Sequence, residues 1–244
     1  MPHKKHKPLV AVLDWKTAPS SNSGVDLETK VLGKFARVKY FLTDNESNFS
    51  PEILKADALI IWQNANITED TISRLKNCRA LIRNGVGYDS VDIDAAARAG
   101  IPVCNVPDYG TEEVSDHAIA LSLALTRQLF ALDAEAKKPG WKLVAKDKLR
   151  RTSTLTFGVI GLGRIGTATA LRAKALGFQV IFHDPYLPNG TEKAVGIVRT
   201  DSLTQLLKQS DVVSIHCPLN EETHYLIAEK ELALMKPTAY LVNT

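Results

Sequence analysis

One stretch limits the possible folds more than any other. Thr156-Phe157-Gly158-Val159-Ile160 is a short apolar run that leads into Gly161-Leu162-Gly163-Arg164-Ile165-Gly166 and then into a helix-like Thr167 to Leu176. A second apolar run, Phe178 to Phe182, ends at Asp184, eighteen residues beyond Gly166. Strand, glycine-rich turn, helix, strand and acid, in that order, describe a βαβ unit shaped for a dinucleotide. Gly161 permits the tight turn, Gly163 lets the backbone approach a pyrophosphate, and Gly166 lets the helix lie close on the strand. The helix N-terminus offers free N–H groups to the anion. Asp184 suits ribose hydroxyls and argues for NAD over NADP, because a carboxylate repels a 2′-phosphate. The plainer alternatives are a glycine-rich turn without a ligand and, for Asp184, a strand-end cap before Pro185. The glycine pattern alone is a weak signal; its weight comes from the strand, helix and acid around it.

The rest of the chain repeats this alternation of short apolar runs with longer amphipathic ones, which predicts an α/β protein with mainly parallel sheets. In the first half the strand candidates are Leu9 to Leu13, Val38 to Leu42, Ala58 to Trp62, Ala80 to Arg83 and Ile101 to Cys104. Runs of four to six apolar residues fit strands buried on both faces. Helices are predicted at about Asp26 to Phe35, Thr68 to Leu75 and Ile93 to Ala99. A long helix is expected from Glu112 to Phe130, apolar nearly all round and so buried between elements or at a subunit contact. Lys137 to Thr154 reads as a connection. After Asp184 come a helix at Ser202 to Leu207, a strand at Val212 to His216, a helix at Leu226 to Met235 and a strand at Ala239 to Val242. The hinge is placed near Asp108 to Gly110, dividing the chain into residues 1–109 and 110–244.

Composition excludes several classes. With 244 residues, 45% hydrophobic and 23% charged, the chain has the make-up of a soluble globular protein. A net charge of +3 is too weak to point to nucleic acid or a membrane surface. The basic start, Met1 to Lys7, is read as a solvated tail, because Pro8 to Leu13 gives way to Asp14, Trp15 and Lys16 rather than to a long apolar region. No run approaches the ~18 apolar residues of a membrane span. Cys78, Cys104 and Cys217 are far apart and odd in number, so neither a zinc site nor a disulfide framework is indicated. They are read as buried free thiols of a cytoplasmic protein.

Four separated motifs resemble those of the D-isomer-specific 2-hydroxyacid dehydrogenases, in that family's order and spacing. Asn84-Gly85-Val86-Gly87-Tyr88-Asp89-Ser90-Val91-Asp92 is similar to the glycine loop of the substrate domain. Glu112-Glu113-Val114-Ser115-Asp116 is similar to the start of the hinge helix, and Gly161 to Gly166 to the cofactor motif. His216-Cys217-Pro218-Leu219-Asn220-Glu221-Glu222-Thr223 is similar to the next cofactor loop. Within the family, Phe182 to Glu192 looks most like the C-terminal-binding protein corepressors, which act as NAD-responsive scaffolds for transcription factors.

The resemblance implies a flavodoxin-like substrate domain plus a Rossmann doubly wound NAD-binding domain, the second pairing with its copy in a dimer. It implies that backbone N–H groups of Val86 and Gly87 hold a substrate carboxylate. Cofactor contacts are implied at Val86, Val114, Gly161, Gly163, Arg164, Ile165, Gly166, Asp184, His216, Cys217, Pro218, Thr223 and Thr244. The implied activity is hydride transfer between NAD and a small 2-hydroxy or 2-oxo acid. The family's catalytic arginine follows the motif Leu241 to Thr244 by two residues, and its glutamate and histidine come later. No catalytic residue is therefore expected within this chain, and both domains are expected to be incomplete at the C-terminus, the first lacking its return segment. Of the six histidines, His183 is expected on the ribose side beside Asp184. His216, at a strand end near the cofactor, is the one candidate for catalysis, although its family counterpart shapes the cofactor loop instead. The second reading is a non-catalytic NAD-binding scaffold, and the blandest is a gene product without a role.

Overall fold

Val-, Ile- and Leu-rich runs become the strands of two separate parallel sheets. The computed structural model describes residues 7–14, 24–43, 45–62, 65–140 and 149–244. The readings of Met1 to His6 as a tail, of Trp15 and Lys16 as following the first strand, and of Trp141 to Lys148 as a connection lie outside the described residues. The chain divides into two compact units, residues 1–109 and 110–244.

The first unit holds β1 (Leu9–Asp14), α1 (Gly24–Leu32), β2 (Arg37–Leu42), α2 (Pro51–Leu54), β3 (Ala58–Ile61) and α3 (Glu69–Arg74). β4 (Leu81–Arg83), α4 (Ile93–Arg98) and β5 (Val103–Asn105) follow. All its pairings are parallel, in the order β2-β1-β3-β4-β5. That is the flavodoxin-like order, with its switch point between β1 and β3. Central β1 is buried along its whole length, as a strand covered on both faces must be. Edge strand β2 is not: its residues alternate between half-buried and exposed. The expectation of burial on both faces fails there, because Arg37 and Lys39, interleaved with Val38 and Tyr40, turn one face of the strand to solvent.

The second unit opens with α5 (Thr111–Thr126) and α6 (Leu129–Ala136). Next come β6 (Thr156–Ile160), α7 (Arg164–Ala175), β7 (Gln179–His183), α8 (Thr191–Val195) and β8 (Val198–Arg199). It closes with α9 (Leu203–Gln209), β9 (Val212–Ile215), α10 (Glu229–Leu234) and β10 (Tyr240–Asn243). The sheet is parallel and ordered β10-β9-β6-β7-β8, the doubly wound Rossmann arrangement with its switch point between β6 and β9. Phe157 and Phe182 are fully buried in its core, each contributing about 2–3 kcal/mol by burial. Phe157 meets Phe178 edge to face at 5.3 Å.

Three sequence expectations need correction. The single helix from Glu112 to Phe130 is two helices, because Gln128 adopts a left-handed backbone (φ 52) between them. The Thr126 hydroxyl donates back to Ser122 O at 2.7 Å, and the Gln128 N–H closes a tightened turn on Leu125 O at 3.1 Å. Cys78 is buried, but Cys104, on edge strand β5, is exposed and Cys217 is only half-buried. The stretch read as a connection contains a 3₁₀ turn at Thr152–Thr154.

At the amino end of β9, Asp211 is 4% exposed and ties the sheet together. It accepts from Thr156 N at 2.9 Å and pairs with Arg150 at 2.6 Å and Lys236 at 3.1 Å. Burial opposes ionisation of this carboxyl, but the Thr156 N–H and the two cations outweigh it and hold its pKa below the usual range. No helix among the described residues is long and apolar enough to cross a membrane.

Candidate functional site

The site is built at the carboxyl ends of β6, β7 and β9. β6 ends at Ile160, and Gly161 turns the chain with φ +83, a conformation that favours glycine. A Cβ on Gly161 would lie 2.9 Å from Cys217 N and 3.0 Å from the His216 carbonyl carbon, so the loops after β6 and β9 touch backbone to backbone. A Cβ on Gly166 would lie 2.0 Å from Gly161 O, which is what lets α7 start directly above the end of β6. Gly163 differs from both: nothing stands within 4 Å of its Cβ position. That open space borders the start of α7, which no side chain caps. Among the described residues the N–H groups of Gly163, Arg164 and Ile165 meet no acceptor. Unpaired donors at the positive end of a helix dipole fit a pyrophosphate.

Asp184, just past β7, faces this loop. One carboxylate oxygen accepts from Leu162 N at 2.9 Å and the other from Tyr186 N at 3.0 Å. Each oxygen keeps further acceptor capacity for hydroxyls. Asp184 therefore does act as a local cap, as the plainer reading held, while also lining a pocket of about 290 Å³. Gly161, Gly163, Asp184, His216, Cys217, Pro218 and Thr223 line that one pocket. Arg164 is exposed at the first position of α7, Ile165 is half-buried, and Gly166 is buried beneath them. Thr244 follows β10 next to His216, because Asn243 pairs with Ile215. Val114 lies in the first turn of α5 and, like Thr244, is not part of the pocket wall.

The pocket is mostly apolar, with Ile160, Leu203 and Leu226 in its wall, which suits a flat ring. Its charged lining is Asp184 and Glu222, with no Lys or Arg among the described residues. The Tyr186 hydroxyl donates to the Glu222 carboxylate across the pocket mouth, and that bond raises the tyrosine pKa. Thr223 organises the far wall, donating from its hydroxyl to Pro218 O at 2.5 Å while its N–H binds the Asn220 side chain at 2.9 Å. Burial lowers the His216 pKa from 6.5 to about 4, so the ring is neutral near pH 7, with Nε2 2.8 Å from the Ser214 hydroxyl. Burial also raises the Cys217 pKa, keeping a thiol there.

Sequence reasoning did not single out Leu203, Leu226 or Tyr186. The two leucines carry no chemical signature, and Tyr186 became visible only through the stretch Phe182 to Glu192.

The first unit carries the two residues that the resemblance implied for a substrate carboxylate. Val86 and Gly87 follow β4 in a loop whose Val86 carbonyl accepts from the Asn105 side chain at 2.8 Å. Among the described residues the N–H groups of Val86 and Gly87 meet no acceptor. Two consecutive free donors suit a carboxylate. The Arg83 guanidinium folds over Gly85 so closely that a Cβ there would lie 2.3 Å from Nη1.

A glycine-rich turn opening a helix, an acid at the next strand end and a crevice at the switch point define a dinucleotide-binding α/β protein. Residues 119–244 match the family described as D-isomer specific 2-hydroxyacid dehydrogenase, NAD binding domain. The chain belongs to that family, and its cofactor is NAD. It is 33% identical over 214 residues to D-3-phosphoglycerate dehydrogenase of Methanocaldococcus jannaschii, covering 88% of this chain and 41% of that protein. It is 30% identical over 246 residues to C-terminal-binding protein 1 of Caenorhabditis elegans, covering 98% of this chain and 33% of that protein. Among solved structures, D-lactate dehydrogenase from Aquifex aeolicus, complexed with NAD and lactic acid, superimposes with a TM-score of 0.85. That match has 31% identity and covers 96% of this chain and 68% of the other.

Proposed function

We propose that this chain provides the NAD site and the carboxylate-holding loop of a dehydrogenase acting on a small 2-hydroxy or 2-oxo acid. The observation that carries this reading is the meeting of Gly161, Gly163, Asp184 and the His216–Cys217 loop around one pocket at the β6/β9 switch point. Bound NAD supplies the nicotinamide that accepts or donates hydride. Gly163, Arg164 and Ile165 hold its pyrophosphate on the first turn of α7, and Asp184 accepts from the adenosine ribose. Cys217, Pro218 and Thr223 wall the pocket, while Val114 and Thr244 flank the cofactor beyond it. Residues 1–109 act as the substrate domain, in which Val86 and Gly87 hold the carboxylate and Val86 also borders the cofactor. His216 shapes the cofactor loop rather than exchanging protons, because burial keeps it neutral down to about pH 4.

The NAD-binding unit pairs with a second copy. Support comes from Leu129 and Phe130 of α6, which are 53% and 74% exposed, since apolar groups so exposed favour a contact. The three free thiols fit a reducing cytoplasm.

The chain spans 41% and 33% of the two relatives' lengths, so turnover is tested on protein purified from its source. The 244-residue chain is first titrated with NADH by fluorescence, and purified protein is then assayed for NADH oxidation with short 2-oxo acids. Saturable binding and turnover of one such acid are expected. Binding without turnover of any 2-oxo acid would favour a second reading, an NAD-binding scaffold of the corepressor type. The stretch Phe182 to Glu192 and the 30% identity to C-terminal-binding protein 1 support that second reading.

A further inference from the structure

Arg199 lies on β8 opposite Phe182 of β7. Its side chain is 20% exposed, and its donors all point toward the loop that follows Asp184. Nη1 donates to the carbonyl of Asp184 itself at 3.0 Å. Nη2 donates to Pro188 O at 2.8 Å, and Nε lies 3.3 Å from the Glu192 carboxylate. The guanidinium also stacks over Phe182, its carbon 4.9 Å from the ring centroid. Glu192 in turn accepts from Gly190 N at 3.1 Å, so the far end of the loop is fastened to the same ion pair.

We propose that Arg199 is a positioning residue for the adenosine end of the cofactor, acting through the backbone of Asp184. A planar fork spanning two carbonyls and a carboxylate fixes the loop at Asp184, Pro188 and Glu192. With its carbonyl held, Asp184 turns its carboxylate to Leu162 N and to the pocket. The same arrangement gives each guanidinium nitrogen a partner in the loop. Arg199 donates to the carbonyl of the ribose acid itself, and each of its three nitrogens faces the loop rather than the pocket. NAD preference thus rests on the repelling carboxylate of Asp184 and on Arg199, which keeps that carboxylate aimed at the pocket.

This inference rests on the nucleotide reading of the pocket, and the experiment separates the two. Dissociation constants for NADH, NADPH and reduced nicotinamide mononucleotide, which lacks adenosine, are measured on the unmodified chain, Arg199→Met, Arg199→Lys and Glu192→Gln. Thermal melts are recorded alongside. Arg199→Met is expected to weaken NADH about tenfold, to leave the mononucleotide within about twofold, and to narrow the NADH over NADPH preference about fivefold. Arg199→Lys, keeping charge but not the fork, restores part of the loss. Glu192→Gln, which leaves the bond to the Asp184 carbonyl in place, weakens NADH by about twofold to threefold. A lower melting temperature with unchanged NADH affinity, or an equal loss for NADH and the mononucleotide, overturns the positioning role alone. An unmodified chain that binds NADH no more tightly than the mononucleotide overturns the nucleotide reading of the pocket, and the role of Arg199 with it.

Discussion

The carboxylate of Asp184 accepts the Leu162 N–H at 2.9 Å, which joins the end of β7 to the glycine-rich turn after β6. The acid proposed to meet the ribose and the loop proposed to hold the phosphates are thereby joined by a direct hydrogen bond. Asp184→Asn keeps an acceptor for Leu162 but removes the charge, whereas Asp184→Ala removes both. NADPH binding is expected to improve relative to NADH in both variants, because the repulsion of the 2′-phosphate is gone. Only Asp184→Ala is expected to weaken NADH strongly, by about tenfold. Equilibrium titration with the two cofactors checks both statements, and an unchanged preference in Asp184→Asn would remove charge as the discriminator.

Gly163 and Gly166 are expected to behave in opposite ways. In Gly166→Ala the new methyl meets Gly161 O and His216 Cβ, at 2.0 Å and 3.3 Å from its ideal position, so the turn and α7 must part. A loss of about 2–4 kcal/mol in unfolding free energy follows from such overpacking. Gly163→Ala meets nothing and has an ordinary φ of −71, so its melting temperature should hold or rise slightly. Its methyl enters the open space at the start of α7 that is proposed to take the pyrophosphate, and NADH affinity should fall at least about tenfold. Calorimetric melts with and without NADH distinguish the two variants.

His216 makes stability depend on pH. Its pKa is about 4 in the folded chain against 6.5 for an unperturbed histidine, so between those values the unfolded chain binds the extra proton. Unfolding free energy is therefore full above about pH 6.5 and falls as pH drops toward 4, by at most about 3 kcal/mol. His216→Gln should flatten that part of the curve. Urea denaturation at half-unit steps from pH 4.5 to 7.5 reads the slope, and an identical slope in the variant would refute the assignment.

What was legible in the sequence follows from how tightly geometry restricts residue type. Gly161 needs a positive φ and Gly166 needs to be free of a Cβ, so only glycine serves, and their spacing shows. Asp184 stands at the next strand end, a fixed number of residues on. Arg199 could not be found that way, since its role depends on pairing with Phe182 and on a loop that could have been tied down by many side chains. Val198 and Arg199 form a strand of two residues, too short to carry a period. The Asp211 cluster joins Arg150 and Lys236 from distant segments, and charged residues read one at a time look like ordinary surface. The end of α5 was invisible for another reason: the apolar pattern continues through Leu125, Leu129 and Phe130, while the break lies in one backbone angle at Gln128.

Asp211→Ala separates stability from binding. The substitution strands the Thr156 N–H and leaves Arg150 and Lys236 without their carboxylate, at the amino end of β9 and away from the pocket at its carboxyl end. Both cations reach solvent, their side chains 48% and 35% exposed, which limits the cost to about 2–3 kcal/mol. NADH affinity per folded molecule is expected to stay within about twofold. A chemical melt and a titration at a temperature where the variant is fully folded give the two numbers.

Gln128 offers a gain in stability. It holds φ 52 and ψ 40 between α5 and α6, a backbone that costs a residue with a Cβ roughly 1 kcal/mol. Its side chain makes no hydrogen bond among the described residues, while its carbonyl accepts from Leu132 N at 3.0 Å whatever the side chain. Glycine adopts this conformation without strain but loses more freedom on folding, so the two effects partly offset. Gln128→Gly should gain about 0.5–1 kcal/mol, a rise of a few degrees in melting temperature. Gln128→Val, whose branched Cβ resists the left-handed region, should lose about 1–2 kcal/mol. Were the two melts to shift together, α5 and α6 would have to form one continuous helix in solution, with Gln128 in an ordinary helical conformation.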